Sequence, residues 1–346
     1  MLAAHAQVLV SDSDTDEVQS FSTISNLLDL IDSKSDSVEK SYVSLDREYN
    51  ERPIIGIVSQ TSPIQYEDYT TYIPTTYIKF VEQSGARAVP ILINKYSDNQ
   101  IIELLSHLNG VLFTGGEMVL IDDEGNLSEF SRKNKVILDT VKEYNDKGIH
   151  YPVWAVCQGF QMVSVIEAPF PDVLLKNYFD SENISNNITF DTLPTKTKLF
   201  KNMPQHIVNS IQKKNITYNY HVNGVLPESY TKYPGLQDYT VIAHSYDLKG
   251  VKYVASIEHK KYPIFAVQFH PEKNIHVWSP NTGSNIPHDP LAIEMSQYFS
   301  NFFISEARKN FNQFRTPELE AKARIENYFI YFDSTMMGNG AYLFKE

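Results

Sequence analysis

The sequence predicts an α/β fold, a mostly parallel central sheet covered by helices on both faces. Three observations carry that expectation. Short apolar runs at 54–58, 86–93, 110–113 and 151–156 alternate with segments whose apolar residues recur at helical spacing. The first run is continuous apart from Gly56, the pattern of a strand buried on both faces. The later segments 239–246 and 251–258 are β-rich and joined by Asp247-Leu248-Lys249-Gly250, a hairpin signal, which adds a β-rich portion to the parallel half.

Residues 1–50 are acidic and rich in Ser and Asp, the composition of a disordered or loosely docked extension, with one apolar patch at 24–31 that fits a short amphipathic helix. Order is expected from Arg52-Pro53 onward. After the strand at 54–58, residues 75–84 place Tyr77, Ile78 and Val81 at helical spacing, between Pro74 and Gly85. A second strand covers 86–93. A helix over 98–108 has Asp98 as its expected N-cap. The third strand, 110–113, ends in Thr114-Gly115-Gly116. A long helix over 127–147 is closed by Gly148. The fourth strand, 151–156, runs into a sharp turn at Cys157 and a helix carrying Phe160, Met162, Val163, Val165 and Ile166. Residues 167–215 read as polar and irregular. A strand at 261–269 leads straight into His270-Pro271-Glu272, and 290–310 is an amphipathic helix. The remainder, through Tyr342 and Phe344, packs back on the body. No internal repeat is visible.

A chain of 346 residues with 42% hydrophobic content supports one large core plus extensions, or two domains. A net charge of −12 and a pI near 5.3 argue against a nucleic-acid partner, which needs a basic face. No apolar run reaches transmembrane length, so no membrane partner is expected. The N-terminus lacks a basic n-region and a long apolar core, so it shows no clear signal peptide. Four N-x-S/T triplets, at Asn126, Asn183, Asn187 and Asn215, permit a secretory route.

Cys157 is the only cysteine, so it forms no intrachain disulfide. At a strand-to-helix turn it stands at a helix N-terminus, where the macrodipole favours a thiolate, and Gly159 gives the backbone room at the tight turn. This is the cysteine form of a nucleophile elbow; a small buried thiol packing as a hydrophobe is the plainer alternative. Both Cys157 and Gly115-Gly116 fall at carboxyl ends of expected strands, where sites of parallel sheets lie. Among 10 His, His270 also ends a strand and is followed by Glu272, which can orient its ring. A His–Glu pair on a surface loop is the alternative. Gly115 and Gly116, with the Gln158 N–H, offer oxyanion donors, or else form a simple tight turn. Together these parts make an apparatus for acyl transfer from an amide. No P-loop, H-E-x-x-H or Cys-pair metal motif is present, so phosphoryl transfer and zinc hydrolysis have nothing to stand on and no metal is expected.

Six segments resemble the gamma-glutamyl hydrolases (folate polyglutamate hydrolases) of the class I glutamine amidotransferase-like superfamily. They are R-P-I-I-G-I-V-S-Q, Y-I-P-T-T-Y-I-K-F-V-E-Q-S-G-A-R-A-V-P-I, L-N-G-V-L-F-T-G-G, Y-P-V-W-A-V-C-Q-G-F-Q, Y-P-I-F-A-V-Q-F-H-P-E-K-N and I-S-E-A-R-K-N. The resemblance implies a flavodoxin-like three-layer sandwich and a hydrolase-like domain over 51–346. It implies a cysteine hydrolase that cleaves γ-glutamyl amides of folate poly-γ-glutamates through a thioester on Cys157. His270 becomes base and acid, Glu272 its orienter, and Gly116 and Gln158 the oxyanion hole. Gly115 and His221 (in Y-N-Y-H) become substrate-binding. The family implies no cofactor, a lysosomal, vacuolar or secreted glycoprotein, and a possible homodimer. The chain departs from the family pattern at Ala155, Thr114, Val277-Trp278 and Gln161, the last replacing an acidic residue that often follows C-x-G-F. Two other classes compete: a glutaminase subunit of amidotransferase type, and a catalytically silent relative serving as a structural subunit.

Overall fold

The computed structural model describes residues 48–278, 283–332 and 340–345. The expected extension over 1–50, with its helix at 24–31, lies almost wholly outside the described residues. The chain from Glu48 runs as β1 (Ile54–Val58), β2 (Gln60–Tyr66), β3 (Tyr69–Pro74), α1 (Thr75–Glu82), β4 (Arg87–Ile91), α2 (Asp98–Leu105), β5 (Gly110–Phe113), α3 (Glu129–Asp146), β6 (Val153–Val156) and α4 (Gln158–Glu167). It continues as β7 (Ser181–Asn186), β8 (Thr189–Phe190), α5 (Gln205–Lys213), β9 (Thr217–His221), α6 (Ser229–Lys232), β10 (Tyr239–Tyr246), β11 (Lys252–His259), β12 (Ile264–Val267), α7 (Lys273–His276), α8 (Pro290–Ala307), α9 (Pro317–Ala323), β13 (Phe329–Tyr331) and β14 (Ala341–Lys345).

The main sheet has the order β4-β1-β5-β6-β12-β11-β10-β8. Its first five strands are parallel, and β11, β10 and β8 extend it antiparallel. The four inner parallel strands are buried along their whole length, as their apolar runs require. Helices form two layers. α2 packs on α3 and α3 on α4, whereas α1, α5 and α7 each meet α8 or one another. Trp154 fills the second side, with its ring stacked on Phe80 at 6.1 Å and tilted against Phe299 and Phe303. The fold is therefore the three-layer α/β sandwich with a mostly parallel sheet.

Local signals explain most boundaries. α2 is capped by Ser97, not by the expected Asp98. Ser97 Oγ accepts the Gln100 N–H and the Gln100 side chain accepts the Ser97 N–H, so S-x-x-Q closes a reciprocal box that Asp98 cannot make. α3 starts after its cap Ser128, and Gly148 follows its end at φ +83°. The hairpin β10–β11 turns at Gly250, φ +77°.

Two β regions were not expected. The segment 167–215 contains β7, β8 and α5, and β7 pairs with β9. A separate four-stranded antiparallel sheet, β13-β14-β3-β2, joins the hairpin at 60–74 to the last residues of the chain. Pro63 interrupts β2, which masks a strand from pattern reading.

Candidate active site

Three neighbouring strands deliver the site. β5, β6 and β12 are parallel and in register, with Phe113 beside Ala155 and Val156 beside Val267. They end at one level, so the residues that follow them meet: Thr114-Gly115-Gly116, Cys157, and Gln268 through His270. The Cys157 N–H donates to Val267 O at 2.9 Å, which continues the ladder by one step. β9 completes the wall, because the His270 N–H donates to Tyr218 O at 2.8 Å.

Cys157 has φ +52° and ψ −108°, a backbone conformation that side chains disfavour. The strain sits on the cysteine rather than on Gly159. Gly159 answers a different need: a β-carbon there would collide with Phe113 O, so its absence lets α4 press onto the end of β5. The thiol is buried, with Tyr220 O 3.9 Å and Gln268 Nε2 3.7 Å from the sulfur.

Burial pushes the Cys157 thiol up to about 12, against the lowering effects of the Lys273 charge and the Gln158 N–H. This corrects the expectation from the helix dipole. The N-terminal N–H does point at the sulfur, but desolvation outweighs it, and the resting group is a thiol.

A base is therefore needed, and His270 stands beside it. A β-carbon placed on Gly115 would lie 3.0 Å from His270 Cε1 and 3.2 Å from Cys157 Cβ, so imidazole and cysteine border one small volume. His270 Nδ1 is 2.7 Å from Glu272 Oε1, and both side chains are buried. Burial pushes the Glu272 carboxyl up, but His270 and Lys273 outweigh it and hold the group below the usual carboxylate range. An ionised Glu272 accepts, so Nδ1 carries the proton and Nε2 keeps its lone pair. Burial, and then the Lys273 charge, hold His270 below its ordinary 6.5.

The loop opposite is fixed from three sides. Tyr77 Oη accepts the Gly115 N–H at 2.8 Å. Gln60 Nε2 donates to Gly115 O at 2.8 Å and to Thr114 Oγ1 at 3.2 Å. The Gln158 side chain accepts the Met118 N–H and donates to Met118 O, both at 2.9 Å. The Gly115 N–H is thus committed to Tyr77, and the Gly116 N–H lies next along the loop. A β-carbon on Gly116 would strike the Gln60 carboxamide.

His221 ends β9 and is buried. Its Nδ1–H donates to Asn223 O at 2.9 Å, which leaves Nε2 as the lone-pair nitrogen, without a hydrogen-bond partner among the described residues. Burial lowers its pKa to about 3, so the ring is neutral.

The structure brings all the expected residues, Cys157, His270, Glu272, Gly115, Gly116, Gln158 and His221, to one end of the sheet. Sequence reasoning missed Gln60, Tyr77 and Gln268. Gln60 and Gln268 each follow a parallel strand within two residues, so strand-end position was the available signal. Tyr77 read as one more apolar residue of a helix face.

A pocket of about 190 Å³ opens beside the site, lined by Glu117, Met118, Gln158, Lys176 and Asn223. A larger cavity of about 740 Å³ lies at the other end of the strands, near His150, Tyr262 and Pro263. Its Lys261 is paired with Asp146, its Lys309 with Glu306, and its Lys198 with backbone carbonyls, so the smaller pocket is the one connected with the chemistry. Among the described residues no group of three or more His, Cys, Asp or Glu could hold a metal ion.

Comparison with known proteins gives a consistent picture. The sequence profile of the peptidase C26 family matches residues 53–272. A gamma-glutamyl hydrolase B of Dictyostelium discoideum is 33% identical over 88% of this chain and 84% of its own length. A gamma-glutamyl hydrolase of Mus musculus is 34% identical over 87% of this chain and 93% of its own. Gamma-glutamyl hydrolase 1 of Arabidopsis thaliana is 31% identical over 78% and 76%.

Proposed function

The chain belongs to the peptidase C26 family, and from that premise we propose that it is a cysteine-dependent hydrolase of γ-glutamyl amide bonds acting on poly-γ-glutamyl folates. One observation carries the reading. The only cysteine of the chain sits on a strained strand-to-helix turn, beside a buried His270–Glu272 pair and under the Gln158 N–H. The domain responsible is the region 51–346.

In this reading His270 Nε2 takes the Cys157 proton as the sulfur attacks the γ-carbonyl carbon. Glu272 holds the ring and stabilises the imidazolium that forms. The carbonyl oxygen becomes an oxyanion and rests on the Gly116 and Gln158 N–H groups. The tetrahedral species collapses, the C–N bond breaks, and His270 returns the proton to the leaving amine. A γ-glutamyl thioester remains. Water then gives a proton to His270, attacks the thioester, and releases the γ-carboxylic acid and the thiol. Gly115 and His221 border the substrate.

Burial lowers the His270 pKa below its ordinary 6.5, a shift in the direction that a lysosomal, vacuolar or secreted enzyme working in acid would need. Among the described residues no helix is long and apolar enough to cross a membrane. Asn126, Asn187 and Asn215 are exposed, but Asn187 Nδ2 donates to Gln212 O at 2.7 Å, and the half-buried Asn183 is hydrogen-bonded to Ser284 and Tyr218. Asn126 and Asn215 are therefore the better glycan acceptors.

The test is mass spectrometry of a poly-γ-glutamyl folate incubated with the protein at pH 4.5 and pH 7. Shortened glutamate tails are expected from the native chain, with none from Cys157→Ala. Hydrolysis that survives in Cys157→Ala would remove the nucleophile from this scheme.

A further inference from the structure

We propose that Gln161 and Gln268 form an amide relay that presents an N–H donor to the Cys157 sulfur. Gln268 touches the reacting atom, and Gln161 is the positioning residue behind it. The proposal rests on the reading of Cys157 as nucleophile, and it gives the sulfur a second donor beside the Gln158 N–H, this one from a side chain and outside the oxyanion hole.

The orientation of both carboxamides follows from one fixed point, the backbone carbonyl of Asn223. A carbonyl oxygen only accepts, so the Gln161 atom 2.9 Å from it is Nε2. The same nitrogen lies 3.2 Å from the Gln268 side chain, and with one N–H spent on Asn223 it has one left to give. The Gln268 atom facing it is therefore Oε1. That turns Gln268 Nε2 toward the sulfur, 3.7 Å away. The reverse orientation of Gln268 would set two N–H groups against each other and an oxygen against the sulfur.

The anchors are rigid. Asn223 O also accepts from His221 Nδ1 at 2.9 Å. The Gln268 backbone N–H donates to Ala255 O at 2.9 Å, and the Gln161 N–H to Cys157 O at 3.1 Å. Gln161 is 3% exposed and Gln268 fully buried, so water has little access to substitute for either partner. A donor held in place before the reaction costs no reorganisation when the charge appears, and in a dry site it acts strongly. Burial disfavours the thiolate, and the relay opposes that effect. The position of Gln161 matters because a carboxylate there could accept from Gln268 but could not donate to it.

Because Cys157 is the only cysteine, alkylation of the full-length protein by iodoacetamide reads this one thiol. Gln268→Met keeps the volume and removes the donor. It should slow alkylation near neutral pH about tenfold, the scale of a lost hydrogen bond to a charged group, and move the alkylation midpoint upward. Gln161→Glu keeps the shape, releases Gln268 and should shift both readouts the same way. The double variant should be no slower than Gln268→Met alone, because the two residues act in series. Circular dichroism melting checks that each variant is folded. A folded Gln268→Met that alkylates at the native rate overturns the relay, as do additive losses in the double variant. Should Gln268→Met not fold, an unchanged rate in Gln161→Glu overturns it instead. No γ-glutamyl substrate enters the assay, so failure of the relay leaves the hydrolase reading standing. Hydrolysis surviving in Cys157→Ala would sink that reading without touching the alkylation result.

Discussion

The hydroxyl of Tyr77 accepts the Gly115 N–H at 2.8 Å, and so ties the first turn of α1 to the loop beside Cys157. Both residues are buried. Tyr77→Phe removes only the oxygen and leaves the N–H without its partner. The expected cost is about 1–3 kcal/mol of stability. Because Gly116 follows directly, kcat should fall more than KM rises. Chemical denaturation and steady-state kinetics on one preparation check both. A variant with a native kcat would show that the loop holds its shape without this bond.

Gln60 occupies the space beside Gly116. Gly116→Ala must displace that carboxamide, which also holds Thr114 and Gly115. Overpacking of this kind costs about 1–3 kcal/mol; alanine keeps the backbone N–H, but a shift that takes it out of line with the oxyanion lowers kcat by up to about 10²–10³, the scale of losing one such donor. Kinetics set against the melting temperature separate the two effects. Pairing Gly116→Ala with the smaller Gln60→Ala should restore part of the stability.

The pH profile follows from His270. The ring must be neutral to accept the thiol proton, and burial together with the Lys273 charge holds its pKa below 6.5. The acidic limb of kcat/KM should therefore lie below pH 6.5. Glu272 raises the His270 pKa, so Glu272→Gln should move the limb lower still while reducing kcat. A limb at or above pH 6.5 in the native protein would contradict this.

His221 governs stability in acid. Its folded pKa, about 3, lies below its unfolded 6.5, so the unfolded chain binds the extra proton. Above pH 6.5 the group has no effect on the balance. Between pH 6.5 and about 3, stability falls with pH at up to about 1.4 kcal/mol per unit from this residue. His221→Gln should flatten that slope, read by urea denaturation at pH 7 and pH 4.5. Equal slopes in the two proteins would assign the acid sensitivity elsewhere.

The parallel strands and the residues at their ends were legible in the sequence because each signal is local. An apolar run followed by Gly-Gly, by Cys-x-Gly or by His-Pro-Glu can be read within ten residues. What surrounds those residues was not legible. Tyr77 meets Gly115 across 38 positions, Gln60 meets it across 55, and Gln268 meets Cys157 across 111. The thiol was misjudged for a related reason. A helix N-terminus is visible in sequence, whereas the burial that outweighs it depends on α4, β9 and β12 closing around the sulfur. The cap at Ser97 was different: S-D-N-Q carries the reciprocal box in four residues, and Asp98 was the less complete reading of it.

The pairing of β14 with β3 makes the second sheet an outrigger of the site. β3 runs directly into α1, and the Thr75 N–H that opens α1 donates to Gly340 O. Two residues on, the Tyr77 hydroxyl holds the Gly115 N–H. A change in β14 therefore reaches the loop beside Cys157 through two hydrogen bonds, Thr75 to Gly340 and Gly115 to Tyr77, although the two strands belong to a different sheet from the one that carries the cysteine.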